Sequence, residues 1–278
     1  DPDWEPVIAA LVKSPYGGNF DQSEKLTVER FFSVSSEIEL GSLLCASVIW
    51  GQLVRQKWIE RLQQLMAQHP LSDAPIILRK MTPMGEIILA GSAPTNIRSS
   101  HLLMAVDLGG NDHYSVDSLP QFPGTPQLIL NFSGDDIYET SQPGGFASGA
   151  GRPAFLIDLK GDDQYNTKSQ SLGTGILGVG MLIDAEGNDQ YTSESMAQGM
   201  GLFGIGLLLD QSGNDSYLVQ ILGQGLGMTS GLGQLMDFRG NDQYLSRSEL
   251  PTNYGTPGIM DSWVQGVGLG LREISAGG

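Results

Sequence analysis

Thirteen carboxylates recur at fixed offsets along this chain, and their spacing is what could do chemistry. Six segments share the pattern D-x-x-G-[ND]-D-x-Y: DLGGNDHY from Asp107, NFSGDDIY from Asn131, DLKGDDQY from Asp158, DAEGNDQY from Asp184, DQSGNDSY from Asp210 and DFRGNDQY from Asp237. The first acidic column is Asp107, Asp158, Asp184, Asp210 and Asp237, and the second holds Asp135 and Asp162 among asparagines. The third is Asp in every copy: Asp112, Asp136, Asp163, Asp189, Asp215 and Asp242. An all-oxygen donor set suits a hard cation such as Ca²⁺, which takes six to eight oxygens at about 2.3–2.6 Å. Asp and Asn are also plain turn formers that accept backbone N–H groups two residues on. The mixed second column favours the turn reading there, and the constancy of the third favours the ion. All thirteen are candidate metal ligands.

The charge arithmetic follows these turns. The chain has 278 residues, with 31 Asp and Glu against 15 Lys and Arg. Without the thirteen, 18 acids would face 15 bases, so the net charge of −16 belongs mostly to the turns. Stacked carboxylates repel by roughly 1 kcal/mol or more per near pair. Such a ladder needs counter-charge, hydrogen-bond donors or raised pKa values. The same charge argues against a nucleic-acid partner, which would need Lys and Arg on one face. A single Cys45 excludes an internal disulfide framework. No run of 18 apolar residues is present, so no membrane-spanning helix is expected.

The motif glycines, Gly110, Gly134, Gly161, Gly187, Gly213 and Gly240, lie 24, 27, 26, 26 and 27 residues apart. A fixed period in this range means a repeat architecture. Each copy follows a short apolar run such as QLILN or GMLID and has no room for a helix or for four propeller strands. Three short strands per repeat fit. The expected fold is mainly β, a single-stranded parallel β-helix (β-solenoid) of about 26 residues per coil, with an α-helical N-terminal cap. Ala105, Ile129, Leu156, Leu182, Leu208 and Leu235 form one core column. Tyr114, Tyr138, Tyr165, Tyr191, Tyr217 and Tyr244 form a stacked aromatic column, structural first and a sugar platform only as the lesser reading.

Residues 1–75 lack the repeat and read as a helical capping region; 76–278 read as the solenoid with six coils and an irregular C-terminal segment. Helices are expected from Ser23 and from Trp50 to His69, the second with an apolar stripe of Leu53, Trp58, Leu62, Leu65 and Met66. IILAGSAPTNI from Ile87 aligns with LILNFSGDDIY from Leu128 as a degenerate first coil lacking the acids. VQGVGLGL from Val264 repeats the glycine run AQGMGLFG from Ala197 but stops short of a further turn. Pro251 and Pro257 suit an irregular covering strand there. A protein partner or second subunit is therefore expected at the C-terminal solenoid edge or on the glycine-lined face built from Gly173, Gly175, Gly178 and Gly180 and their equivalents. The chain begins at Asp1 rather than Met, as a processed or trimmed chain would, so the lack of a leader says nothing about destination.

Enzymatic signatures are weak. His69, His101 and His113 share no spacing, and Cys45 sits in an apolar run as a core residue would. The G-x-G-x-x-G at Gly173 recurs with the coil period and precedes no helix, against a dinucleotide reading. Arg152, Lys160 and Arg239 break the pattern near the acidic turns and are minor catalytic candidates. The turns resemble half of the calcium-binding repeat of the repeats-in-toxin proteins, G-G-x-G-x-D-x-U-x, with Leu108 to Tyr114 the nearest match. They are similar too to bacterial secreted and envelope proteins with repeated G-[ND]-D-x-Y turns. The toxin repeat is nine residues long, so only the Gly, the Asp and a bulky residue after it carry over. The resemblance implies Ca²⁺ between coils and a secreted protein. The expected function is a periplasmic or extracellular, calcium-stabilised binding or scaffolding protein. The alternative is a carbohydrate-active β-helix enzyme, a polysaccharide lyase or hydrolase, with a carbohydrate as ligand.

Overall fold

The computed structural model describes residues 21–37, 40–69, 73–116, 124–252 and 256–268, together with Pro6. The repeats form a parallel β-solenoid with three strand-bearing faces. The first sheet has eight strands, in the order β1 (Ile76–Thr82), β2 (Gly85–Ala90), β4 (Leu102–Asp107), β6 (Gln127–Asn131), β9 (Pro153–Asp158), β12 (Val179–Asp184), β15 (Ile205–Asp210) and β17 (Leu232–Asp237). These strands are the apolar runs before each acidic turn.

The second sheet lies beyond the turns and holds β3 (Asn96–Ser99), β5 (His113–Val116), β7 (Ile137–Glu139), β10 (Gln164–Asn166), β13 (Gln190–Ala197), β16 (Ser216–Gly223) and β18 (Gln243–Ser246). The third is smaller: β8 (Ser148–Ala150), β11 (Thr174–Ile176) and β14 (Gly201–Leu202). Every repeat pairs in register with the next, so Asp158, Asp184, Asp210 and Asp237 are neighbours, as are Tyr138, Tyr165, Tyr191, Tyr217 and Tyr244. The degenerate coil is present in the expected register. Ile87 pairs with Met104, which pairs with Leu128, while Ile97 stands in the tyrosine column beside Tyr114.

Two packing modes fill the interior. Between the first and second sheets, Ile129, Leu156, Leu182 and Leu208 meet the buried tyrosines. The rings of Tyr138, Tyr165 and Tyr191 stack with centroids 4.8 Å apart. Between the first and third sheets there is room only for backbone. A Cβ on Gly180 would come within 2.0 Å of the Thr174 carbonyl, and one on Gly206 within 1.9 Å of the Met200 carbonyl. On their inner side the glycine columns are thus packed against backbone across the coil.

The helices α1 (Gln22–Glu37), α2 (Leu40–Gly51) and α3 (Gln56–Gln68) do not sit across the end of the stack. Val28 and Phe31 of α1 pack on Ile176, Met196, Met200 and Leu202, outside the third sheet. Trp50, Val54, Ile59 and Met66 pack on Leu128, Leu130, Phe155 and Ile157, on the outer face of the first sheet, and the Trp50 indole N–H donates to the Gln127 carbonyl. This explains why strands such as QLILN are apolar at every central position: both faces are covered. The end of the first sheet is closed instead by β1, which turns antiparallel onto β2. The Asp21 carboxylate caps α1 by accepting the Ser23 and Glu24 N–H groups, so the helix opens at Gln22, one residue before Ser23. The second expected helix is broken by the turn Gln52–Val54 and by extended Arg55. Trp58 of its stripe is 60% exposed, and Ile59 takes the inward position. Cys45 is exposed, not core.

At the other end, the final glycine run does take up a coil position. Gly227 bridges Gly268 in parallel, and the Gly227 N–H donates to the Val267 carbonyl. This segment continues the third face and the end of β16, where the Leu222 N–H donates to the Ser262 carbonyl; Pro251 bridges Met260 in antiparallel fashion. Among the described residues no strand pairs with the outer edges of β17 and β18, where Gln265 Nε2 reaches the Tyr244 carbonyl at 3.5 Å and where Leu232 is 56% and Phe238 60% exposed.

Candidate metal centre

The acidic turns join the first sheet to the second, and strict register stacks them. The G-[ND]-D tripeptide puts consecutive side chains on opposite sides. Asp135 and Asp162 point outward with the asparagines and are exposed. There Asp162 Oδ1 accepts the Asn188 N–H at 2.8 Å, and Asn188 Oδ1 accepts the Asn214 Nδ2 at 3.0 Å. The structure leaves both outside any acidic cluster, on a hydrogen-bonded surface ladder.

The first and third columns point inward. Asp107, Asp158, Asp184 and Asp210 are 0% exposed, and Asp112, Asp136, Asp163, Asp189 and Asp215 are at most 2% exposed. One oxygen of each third-column residue accepts the backbone N–H of its counterpart one rung earlier. Asp163 Oδ1 takes the Asp136 N–H, Asp189 Oδ1 the Asp163 N–H and Asp215 Oδ1 the Asp189 N–H, each at 2.7 Å. First-column carboxylates accept tyrosine hydroxyls from the rung before: Tyr138 donates to Asp158 at 2.6 Å, Tyr165 to Asp184 at 2.7 Å and Tyr191 to Asp210 at 2.8 Å. The tyrosine column is therefore buried and committed to the ladder, with no sugar platform among its interior members.

These bonds leave oxygens over. Asp112 Oδ2, Asp163 Oδ2, Asp184 Oδ1, Asp189 Oδ2, Asp215 Oδ2 and Asp237 Oδ1 are buried without hydrogen-bond partners among the described residues. The carboxylates fall into four trios: Asp136, Asp158 and Asp163; Asp163, Asp184 and Asp189; Asp189, Asp210 and Asp215; Asp215, Asp237 and Asp242. Within each trio, one ligand atom per residue lies within 4.8 Å of the others. Asp107 and Asp112 remain a pair, because the degenerate coil has no acid to offer them.

Burial dominates the electrostatics, and neighbouring carboxylates add to it. Burial pushes Asp189 up to about 10 with Asp184 beside it, Asp163 and Asp112 to about 8, Asp136, Asp184 and Asp215 to about 7, and Asp210 to about 6. Asp158 is likewise raised, by burial first and then by Asp163 and Asp184. Among the described residues no Lys, Arg or His forms an ion pair with any of these inward carboxylates. A buried charge persists only when paired or metal-bound. Each trio must therefore hold protons or a cation, and its oxygen-only donors can hold a hard metal ion.

The basic residues singled out in the sequence do not serve these turns as counter-ions. Arg152 lies at the opposite corner, between β8 and β9, buried, with its Nε donating to the Ser148 carbonyl. Lys160 pairs with Glu186 at 3.3 Å on the surface, and Arg239 is exposed. Sequence reasoning missed Gln198 and Gln224, buried in left-handed backbone (φ 56° and 53°). Each Nε2 clips two rungs, Gln198 to the Tyr191 and Leu218 carbonyls and Gln224 to those of Tyr217 and Leu245. Their signal was the repeated Q-G-x-G.

A shallow groove of about 440 Å³ runs along the outer face of the second sheet. Its lining includes Glu139, Asn166, Thr192, Glu194 and Arg247, and Lys168, which holds Glu194 at 2.6 Å. The fold and ladder together define a parallel β-solenoid with a buried acidic spine able to bind metal. No described helix is long and apolar enough to cross a membrane. Compared with protein-family models, with curated proteins and with solved structures, the chain shows no match.

Proposed function

We propose that this chain is a calcium-stabilised β-solenoid of the periplasm or extracellular space that serves as a binding or scaffolding element in a larger assembly. One observation carries the reading: the same uncompensated carboxylate trio recurs four times along the axis. Catalysis needs one asymmetric constellation, whereas repetition of one unit suits a component that sets length and stiffness. Calcium is the cation the donor chemistry favours, since it accepts many oxygens in flexible geometry. The uncovered edges of β17 and β18 are where a protein partner or second subunit would dock.

The test uses a middle rung. Asp189 belongs to two trios, so Asp189→Asn removes a carboxylate from both. In the unsubstituted protein, millimolar Ca²⁺ raises the melting temperature over that in chelator; ligand at 100 Kd contributes about 2.7 kcal/mol per site. Asp189→Asn should lose much of that rise. An equal rise in both proteins would remove the trios from the account.

A second reading, a carbohydrate-active enzyme, is favoured by the groove, which places Glu139, Glu194 and Glu249 near Lys168 and Arg247. Release of new sugar ends from a polysaccharide, abolished by Glu194→Gln, would establish it. No release across acidic and neutral polysaccharides would discard it.

A further inference from the structure

Asn131 breaks the acidic spine, and the geometry around it differs from every other described rung. It occupies the first-column position that is Asp in the five other motif copies. Its Nδ2 donates to Asp136 Oδ2 at 2.5 Å and to the Tyr138 hydroxyl at 3.0 Å. In the middle rungs the corresponding third-column oxygens, Asp163 Oδ2, Asp189 Oδ2 and Asp215 Oδ2, are buried with no partner among the described residues, as is Asp112 Oδ2 on the first rung, whereas Asp136 Oδ2 is satisfied. One amide hydrogen thus supplies at Asn131 what the middle rungs lack.

The tyrosines register the same break. Tyr138, Tyr165, Tyr191 and Tyr217 each donate forward to the first-column Asp of the next rung. Tyr114 does not donate to Asn131; it turns back to Asp107 of its own rung. Tyr244, on the last motif rung, likewise turns back to its own Asp237, at 3.0 Å. Asn131 therefore makes the second rung behave as an end of the spine although the sheets run through it unbroken.

From this we propose that Asn131 closes the first inter-rung gap to cations, so that Ca²⁺ occupies only the four gaps from Asp136 to Asp242. The amide takes the place of the ion: it neutralises nothing but satisfies Asp136, and it leaves Asp112 and Asp136 without the third carboxylate present in every trio. The proposal rests on the calcium reading above and adds which gaps are filled and what fixes the count. A neutral donor here also interrupts the run of like charges, leaving Asp107 and Asp112 as a separate pair beside the acid-free degenerate coil.

The experiment counts bound Ca²⁺ by calorimetric titration and by elemental analysis of dialysed protein, using two reciprocal substitutions. Asn131→Asp supplies the missing third carboxylate beside Asp112 and Asp136, and the count should rise by one. Asp184→Asn transplants the Asn131 arrangement beside Asp189, and the count should fall by one while the protein remains folded. Should Asn131→Asp fold only with Ca²⁺ present, that dependence is itself the expected result, and Asp184→Asn gives the count independently. A chain that binds Ca²⁺ with the same count in both variants overturns this inference and leaves the calcium reading standing. A chain that binds none overturns the calcium reading and this inference with it.

Discussion

In chelator, the protein should lose stability as pH rises from about 5.5 to 9, the reverse of the usual carboxylate behaviour. The sign follows from the direction of the shifts. An unfolded Asp titrates near 3.9. In the folded protein, burial raises Asp210 to about 6, Asp184 and Asp215 to about 7, Asp163 to about 8 and Asp189 to about 10. A group raised on folding binds its proton more tightly in the folded state. Its contribution is complete below about pH 4 and is lost as pH climbs through the folded value. Each unit of displacement corresponds to about 1.4 kcal/mol, and a whole domain is stable by only about 5–15 kcal/mol. A net loss of roughly 5 kcal/mol across the spine would lower the melting temperature by about 10–20 °C. Saturating Ca²⁺ should narrow or reverse the difference, because the ion binds the deprotonated trio. A melting temperature in chelator that rises between these pH values would contradict the burial of these groups.

The second large effect is expected at Tyr191, which is fully buried between Tyr165 and Tyr217 at 4.8 Å centroid spacing. Tyr191→Ala removes a ring that stacks on both sides and should cost about 3–5 kcal/mol. It also strips the hydroxyl that donates to Asp210 Oδ2. Tyr191→Phe keeps the ring and should cost about 1–3 kcal/mol, the penalty of leaving one buried acceptor unpaired. Urea denaturation of both variants separates stacking from hydrogen bonding. Exposed Gln190→Ala in the same strand is the control, and a Tyr191→Ala cost no greater than that control would show that the column is not a structural spine.

Much of this arrangement was legible because stacking makes columns of repeats into contacts. The register of Ile87 with Leu128 and the inward tyrosines follow from the period alone. Which acids face inward was also encoded: the outward column tolerates Asn or Asp, since either can accept a neighbour's N–H, while the third column admits only Asp. The metal reading gave Asp135 and Asp162 the same standing as the rest because that alternation was not applied inside the turn. The helices were placed on the end of the stack although strands such as LILN carry apolar residues on both faces, the sign of a covered sheet. The glycine columns were not legible, because the atoms that exclude a Cβ belong to the strand across the coil. Cys45 was misplaced for a simpler reason: an apolar run is buried only if something packs on that side of it.

The central claim is that cations sit between rungs within the buried trios. Anomalous scattering from crystals grown in Ca²⁺, recorded at long wavelength, tests it most directly. The account predicts peaks between successive rungs, each within coordination distance of oxygens from one trio, with none between Asp112 and Asp136. Well-ordered trios without anomalous density, their carboxyl oxygens at hydrogen-bond distance from one another, would show a spine held by shared protons and would contradict it.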